Sequence, residues 1–294
     1  KRFTEWNLLR SLANIGWLFV LVIGFVLGEA TPRVLAFGFL VSTAVSAFVV
    51  VVLGLREIPG LHALDLALWP AMIKYGLPIT ASSIPTYLIE SGRLSQMFIA
   101  AILPPEAVGL FAVAVAWSES TAIIPQVIGQ VVFPRLAAAR GVCQQAIEMV
   151  RGARLVTLPL FGLCSLLVIL CPIAVPFLFG SEFNAAVPSA MVMVIAAGMA
   201  GLKTILRQEF YGLGKPGVSL AGEVVGITLI ILSLLFLMNP LGIIGVAMAT
   251  LIGNSGSSVL LLWLAKQYTR KSIFEFLVPS WDEFRTLVVL FRKN

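Results

Sequence analysis

Eight long apolar segments constrain this chain more than any other feature. They run roughly over residues 11–28, 34–55, 72–103, 106–133, 155–178, 185–213, 218–238 and 241–265. A bilayer-crossing helix needs about 20 mostly apolar residues, and a soluble domain cannot bury eight such stretches. Charged residues make up 12% of the chain, about half the ~25% usual in soluble domains. Only helices and closed barrels satisfy every backbone polar group inside hydrocarbon. Barrel strands alternate apolar and polar residues over about ten positions, whereas these segments are longer and apolar on all faces. The expected fold is therefore all-α, a polytopic membrane helical bundle of about eight transmembrane helices, with the lipid bilayer as its surroundings.

The basic residues orient that bundle. Lys and Arg collect on the cytoplasmic side of membrane proteins. Here they fall in the leading flank (Lys1, Arg2, Arg10), after the second segment (Arg56, Lys74) and after the fourth (Arg135, Arg140, Arg151, Arg154). Lys215 follows the sixth, and six more lie from Lys266 to Lys293. The alternate loops hold only Arg33. Both ends of the chain are thus expected to be cytoplasmic, in a multi-pass protein of the cytoplasmic membrane. This distribution also explains the net charge of +6 without nucleic acid as a partner. Turn chemistry agrees with the boundaries: Pro104-Pro105, Phe179-Gly180-Ser181-Glu182, Gly212 to Gly217, and Asn239-Pro240-Leu241-Gly242.

The charges inside the segments, away from their first turns, are Arg93, Lys203 and Arg207, with Glu90, Glu119, Glu209 and Glu223. Each costs about 2.5–3.5 kcal/mol to place at the centre of a spanning helix, so they mark candidate functional positions. Lys203 and Arg207 are four apart and share one helix face. At 1.5 Å per residue, Lys203 lies roughly 15 Å from the turn at Gly212. Two roles are open for the pair: contact with an anionic cargo, or an internal ion pair with Glu209, Glu223 or Glu119. Glu90 and Arg93, three apart, have the same alternatives of pairing with each other or leaving Arg93 to a headgroup. Glu119 and Glu223 are candidates for ion coupling or for pairing with these cations.

No catalytic triad, phosphate-binding loop, metal cluster or paired catalytic carboxylate can be assembled, so neither an enzyme nor a cofactor is expected. The three cysteines lack metal-ligand spacing, and Cys164 and Cys171 read as small core residues. His62 is the only histidine and reads as a loop residue.

Several stretches carry a family resemblance. They are Tyr75-Gly76-Leu77-Pro78 with Ala81-Ser82-Ser83; Ser91-Gly92-Arg93; Leu103 through Phe111; Phe133-Pro134-Arg135-Leu136; Phe179 through Phe183; and Gly212 through Pro216. In this order, and at these boundaries, they resemble the polysaccharide-export branch of the multidrug/oligosaccharidyl-lipid/polysaccharide flippase superfamily. The resemblance covers roughly residues 70–267. It implies twelve helices in two six-helix lobes. Residues 1–70 would then be the last two helices of the N-terminal lobe, 71–267 the C-terminal six-helix lobe and 268–294 a cytoplasmic amphipathic tail. It also implies that four helices precede Lys1. One departure is that Gly92 stands where the family often has an acid before its arginine, with Glu90 three positions before Arg93.

The function implied is flipping of a polyprenyl-diphosphate-linked oligosaccharide by alternating access, with Arg93, Lys203 and Arg207 as substrate-binding residues and glycan-assembly machinery as a partner. Three other functions stay open. A cation-coupled drug exporter of the same superfamily would want acids to dominate the cavity. A glycan polymerase or ligase would want a large external loop, and every external loop here is short. A non-transporting scaffold is the last.

Overall fold

The computed structural model describes residues 15–26, 28, 31–57, 68–90, 92–139 and 141–277. His62, Arg140 and the tail beyond residue 277 lie outside the described residues, as does the side chain of Glu90. The described residues form helices and turns, with no strand among them. The chain divides into two compact units at Trp69/Pro70.

The first unit holds α1 (Ile15–Val26) and α2 (Pro32–Glu57). A Cβ built on Gly38 would meet Val20, and one on Gly16 would meet Ser42. That pairing, with a turn at Gly28, is an antiparallel hairpin. Trp17 and Phe39 meet edge to face with centroids 5.2 Å apart.

The second unit begins with α3 (Trp69–Glu90) and α4 (Arg93–Ile102). One apolar segment of sequence becomes two helices here because Gly92 takes a left-handed φ of 61°. α5 (Pro105–Glu119) and α6 (Ile123–Ala138) share another segment, joined by a 3-10 turn at Ser120–Ala122. Prolines start α5 and sit at the third position of α6, where a missing N–H is tolerated or bends the chain.

α7 (Val142–Phe179) has 38 residues and is therefore about 57 Å long, nearly twice the ~30 Å hydrocarbon core. Its first turns, with Glu148, Arg151 and Arg154, extend the segment expected at 155–178. A 3-10 turn (Ser181–Ala186) leads to α8 (Val187–Gly212). α9 (Pro216–Thr269) is helical on both sides of Gly242, whose φ of 55° and ψ of −134° break it. Gly226 approaches Ser257, Gly222 approaches Leu261 and Ser257 Oγ donates to the Gly222 carbonyl at 2.8 Å. The two halves are thus an antiparallel hairpin, α9a before Gly242 and α9b after it. No L-side chain adopts the Gly242 conformation readily.

Among the described residues, five stretches are long and apolar enough to cross a membrane: 33–53 in α2, α5 with α6, α7, α8 with its preceding turn, and α9. α1 and α4 are shorter apolar helices. With α9 folded at Gly242, this is a multi-pass membrane helical bundle.

α8 is the centre of the second unit, flanked by α9, α7, α6 and α5. One apolar cluster joins Leu136, Met149, Leu160, Leu206, Phe210, Leu261 and Phe276; the other joins Phe111, Cys171, Val175, Ala190, Ile230 and Val246. Short polar side chains stitch α9b to its neighbours: Ser258 Oγ donates to the Met199 carbonyl at 2.8 Å, and Ser95 and Thr250 hydroxyls lie 3.2 Å apart. Without a hydrophobic drive between helices in lipid, such bonds and close packing hold the bundle.

In the short α10 (Ile273–Leu277), Phe276 is fully buried among α7 and α9 side chains, while Phe274 is exposed. Arg154 Nε on α7 donates to the Glu275 carbonyl.

Candidate functional site

Three charged residues meet where α8 crosses α9a. Lys203 Nζ lies 3.1 Å from Glu223 Oε2, and Arg207 NH1 lies 2.9 Å from Glu223 Oε1. One carboxylate therefore serves two cations, one oxygen to each. Lys203 and Glu223 are 0% exposed and Arg207 is 7% exposed.

Local structure explains the meeting. Lys203 and Arg207 are one helical turn apart on α8. The turn after Gly212 reverses the chain, with Lys215 N bonding the Phe210 carbonyl at 2.9 Å. Arg207 lies five residues before Gly212 and Glu223 six residues after Gly217, so an antiparallel pair of helices brings them level. Ser219 Oγ donates to the Arg207 carbonyl at 3.2 Å and fixes that register.

α3 adds a third wall that sequence reasoning missed. Arg207 NH1 also donates to Thr86 Oγ1 at 2.8 Å. Lower on the same face, Ser82 Oγ and Tyr211 Oη lie 2.7 Å apart, and Tyr75 Oη donates to the Tyr211 carbonyl at 2.8 Å. Tyr75, Ser82 and Thr86 are spaced seven and four apart, one stripe of a helix. That spacing was the available signal.

The other expected residues lie elsewhere. Arg93 is exposed at the start of α4, with its guanidinium 3.8 Å from the Tyr87 ring centroid. Glu119 is exposed at the end of α5. Glu209 is fully buried on the far side of α8 from Arg207, beside the α7 backbone at Gly152 and Ala153. Neither of its carboxyl oxygens has a hydrogen-bond partner among the described residues. Among the described side chains, Glu223 bonds both Lys203 and Arg207. Cys164 and Cys171 are free thiols buried in the core.

The cluster brings two cations to one carboxylate. Arg's planar fork and Lys's ammonium both suit phosphate oxygens.

A family model described as "polysaccharide biosynthesis protein" matches residues 2–188. The chain belongs to that family. The match runs from the leading flank to the first turn of α8 and agrees with the resemblance to polysaccharide exporters; the charged cluster lies beyond it. No curated protein and no solved structure matches the chain. Membership places the protein in polysaccharide synthesis or transport, and its apolar helices place that work in a membrane.

Proposed function

We propose that this protein is a transporter, not an enzyme, and that it flips a polyprenyl-diphosphate-linked oligosaccharide across the cytoplasmic membrane by alternating access. The observation that carries the reading is the buried pair of cations Lys203 and Arg207. A charge within a spanning helix is costly and marks a pathway or a counter-ion. Two cations on one helix face suit an anionic headgroup, and the diphosphate of a lipid-linked glycan is the anion that polysaccharide synthesis handles. Arg93, exposed over Tyr87, is a second contact for the same cargo. Both ends of the chain face the cytoplasm in this reading, beside the glycan-assembly enzymes that load the cargo.

The test is export by the full-length protein in cells, with folded yield measured in parallel. Arg207→Gln and Lys203→Met should abolish export while membrane insertion continues, because removing an intramembrane charge eases insertion. Arg207→Lys should be intermediate, since it keeps the charge and loses the fork. Normal export by Arg207→Gln would reject the reading. Exposed Glu119 favours a second reading, cation-coupled export of small molecules. In that case Glu119→Gln would stop export and Arg207→Gln would not.

A further inference from the structure

α3 is tied to α8 differently from the helices that flank α8. α5, α6, α7 and α9 meet α8 through the two apolar clusters. From α3, Ile89 in the last turn is the buried apolar side chain among the described residues. Along the rest of α3 hydroxyl groups make the seam. Tyr75 Oη donates to the Tyr211 carbonyl, Ser82 Oγ meets Tyr211 Oη, and Thr86 Oγ1 accepts from Arg207. We propose that α3 is a swinging wall of the site and that this seam is its latch. Opening it admits the anionic headgroup of the cargo to Arg207. The proposal rests on the flippase reading above and adds the moving part: α3 shifts against α8, within the second unit.

The two ends of α3 are held unequally. Ile89 belongs to the apolar cluster of Phe111 and Val115. The left-handed Gly92 that follows sits against the same helix, since a Cβ built on it would lie 2.9 Å from Val115 Cγ2. That end is the pivot. From Tyr75 to Thr86, about 16 Å of helix at 1.5 Å per residue, the seam is made by hydrogen bonds. Such bonds between membrane helices are individually weak. Pro78 and Pro85 lie in this stretch. Each removes a backbone hydrogen bond and lets the helix bend.

The seam also borders the charged cluster. Arg207, bonded to Thr86, keeps a little exposed surface, whereas Lys203 and Glu223 are fully covered. An incoming headgroup therefore reaches Thr86 and Arg207 first. Hydroxyl groups both donate and accept. Tyr75, Ser82, Thr86 and Tyr211 can thus exchange bonds across the seam for bonds to phosphate or sugar oxygens. An apolar seam offers no such exchange.

A seam that only ties two helices together would stay shut throughout transport. The experiment uses the full-length protein in cells, with the exposed Cys143 replaced by serine. Ser82→Cys and Tyr211→Cys replace the pair whose oxygens lie 2.7 Å apart. A membrane-permeant bis-thiosulfonate reagent, as long as a tyrosine side chain, bridges the two thiols, and dithiothreitol releases the bridge. Bridging should stop export without lowering the folded yield, and release should restore export. Either single-cysteine variant, treated alike, should keep its export.

Export that continues through the bridge would overturn the proposal. It would leave the flippase reading standing, since that reading falls on normal export by Arg207→Gln. Should the double variant be inactive before bridging, the motion itself is measured in purified full-length protein in phosphatidylcholine nanodiscs. Spin labels are placed at the exposed positions Leu77→Cys on α3 and Val259→Cys on α9b. Two distances are expected, and Thr86→Val should raise the share of the longer one. A reference pair at Ile169→Cys on α7 and Val259→Cys, both exposed, should give one distance with or without that change. A single distance from Leu77 to Val259 that Thr86→Val leaves in place would show a fixed wall, and the proposal would fall.

Discussion

The two faces of α8 handle buried charge in opposite ways. Toward α9a and α3, Lys203 and Arg207 meet Glu223 and Thr86 at hydrogen-bond distance. Toward α7 and α6, Glu209 enters an apolar interface with no hydrogen-bond partner for either oxygen among the described residues. Arg207 and Glu209 are two residues apart, a rotation of about 200° around the helix. The first face consists of groups that need one another. The second makes room for one polar group: a Cβ on Gly152 would sit 2.5 Å from Glu209 Oε1 and 2.8 Å from Val132 Cγ1. Burial alone therefore says little about what a charged residue contributes, and the neighbours decide it.

The largest expected effect lies on the first face. Glu223→Leu removes the carboxylate that two buried cations share and should cost ~3–5 kcal/mol of stability. Thermal unfolding in detergent measures it. The triple change Lys203→Met, Arg207→Met, Glu223→Leu should recover most of that loss while abolishing export, since a well-packed apolar replacement of a buried ion cluster is often neutral or better. A Glu223→Leu protein that melts like wild type would erase the contrast between the faces.

On the second face, Gly152→Ala should cost ~1–3 kcal/mol, as overpacking does. Combining it with Glu209→Ala should restore part of the loss, because the two sites touch and their effects are not additive. Restoration would be incomplete because Val132 also obstructs the new methyl.

Glu209→Leu should change stability by less than ~1 kcal/mol, or raise it, because an unpartnered buried polar group is a burden on the fold. Unfolding midpoints of the single variant test this. A large loss would show that the carboxyl has a role, and would bring the two faces closer together.

The smallest effect belongs to a third glutamate, partly exposed in α10. Glu275 accepts from the Ser272 backbone N–H at 3.2 Å and pairs with Lys271 at 3.2 Å. The Ser272 bond first, and then Lys271, hold its carboxyl below the usual glutamate range. A depressed folded-state value means that the contribution is present above the unfolded value of about 4.3. It is lost as pH falls through the lower folded value. Hydrogen exchange in α10 should rise slightly in that acid window, and Glu275→Gln should remove the pH dependence.

The sequence by itself determined the solvent, the helical class and the approximate extent of the apolar segments. Those follow from long, unbroken hydrophobicity, which needs no tertiary information. It also determined that Lys203 and Arg207 share a face, since helical period is local. One further point was legible but unused: residues two apart on a helix do not face each other, which already separates Glu209 from Arg207. Breaks inside apolar segments, at Gly92 and at Ser120–Ala122, were harder to see because hydrophobicity is continuous across them. Only the tertiary structure decided that Glu223, rather than Glu119, takes both cations, that Thr86 joins Arg207, and that Phe276 anchors the tail. Each of these depends on the rotation and register of one helix against another. That register is set by many small contacts at close approach, which no single segment of sequence encodes.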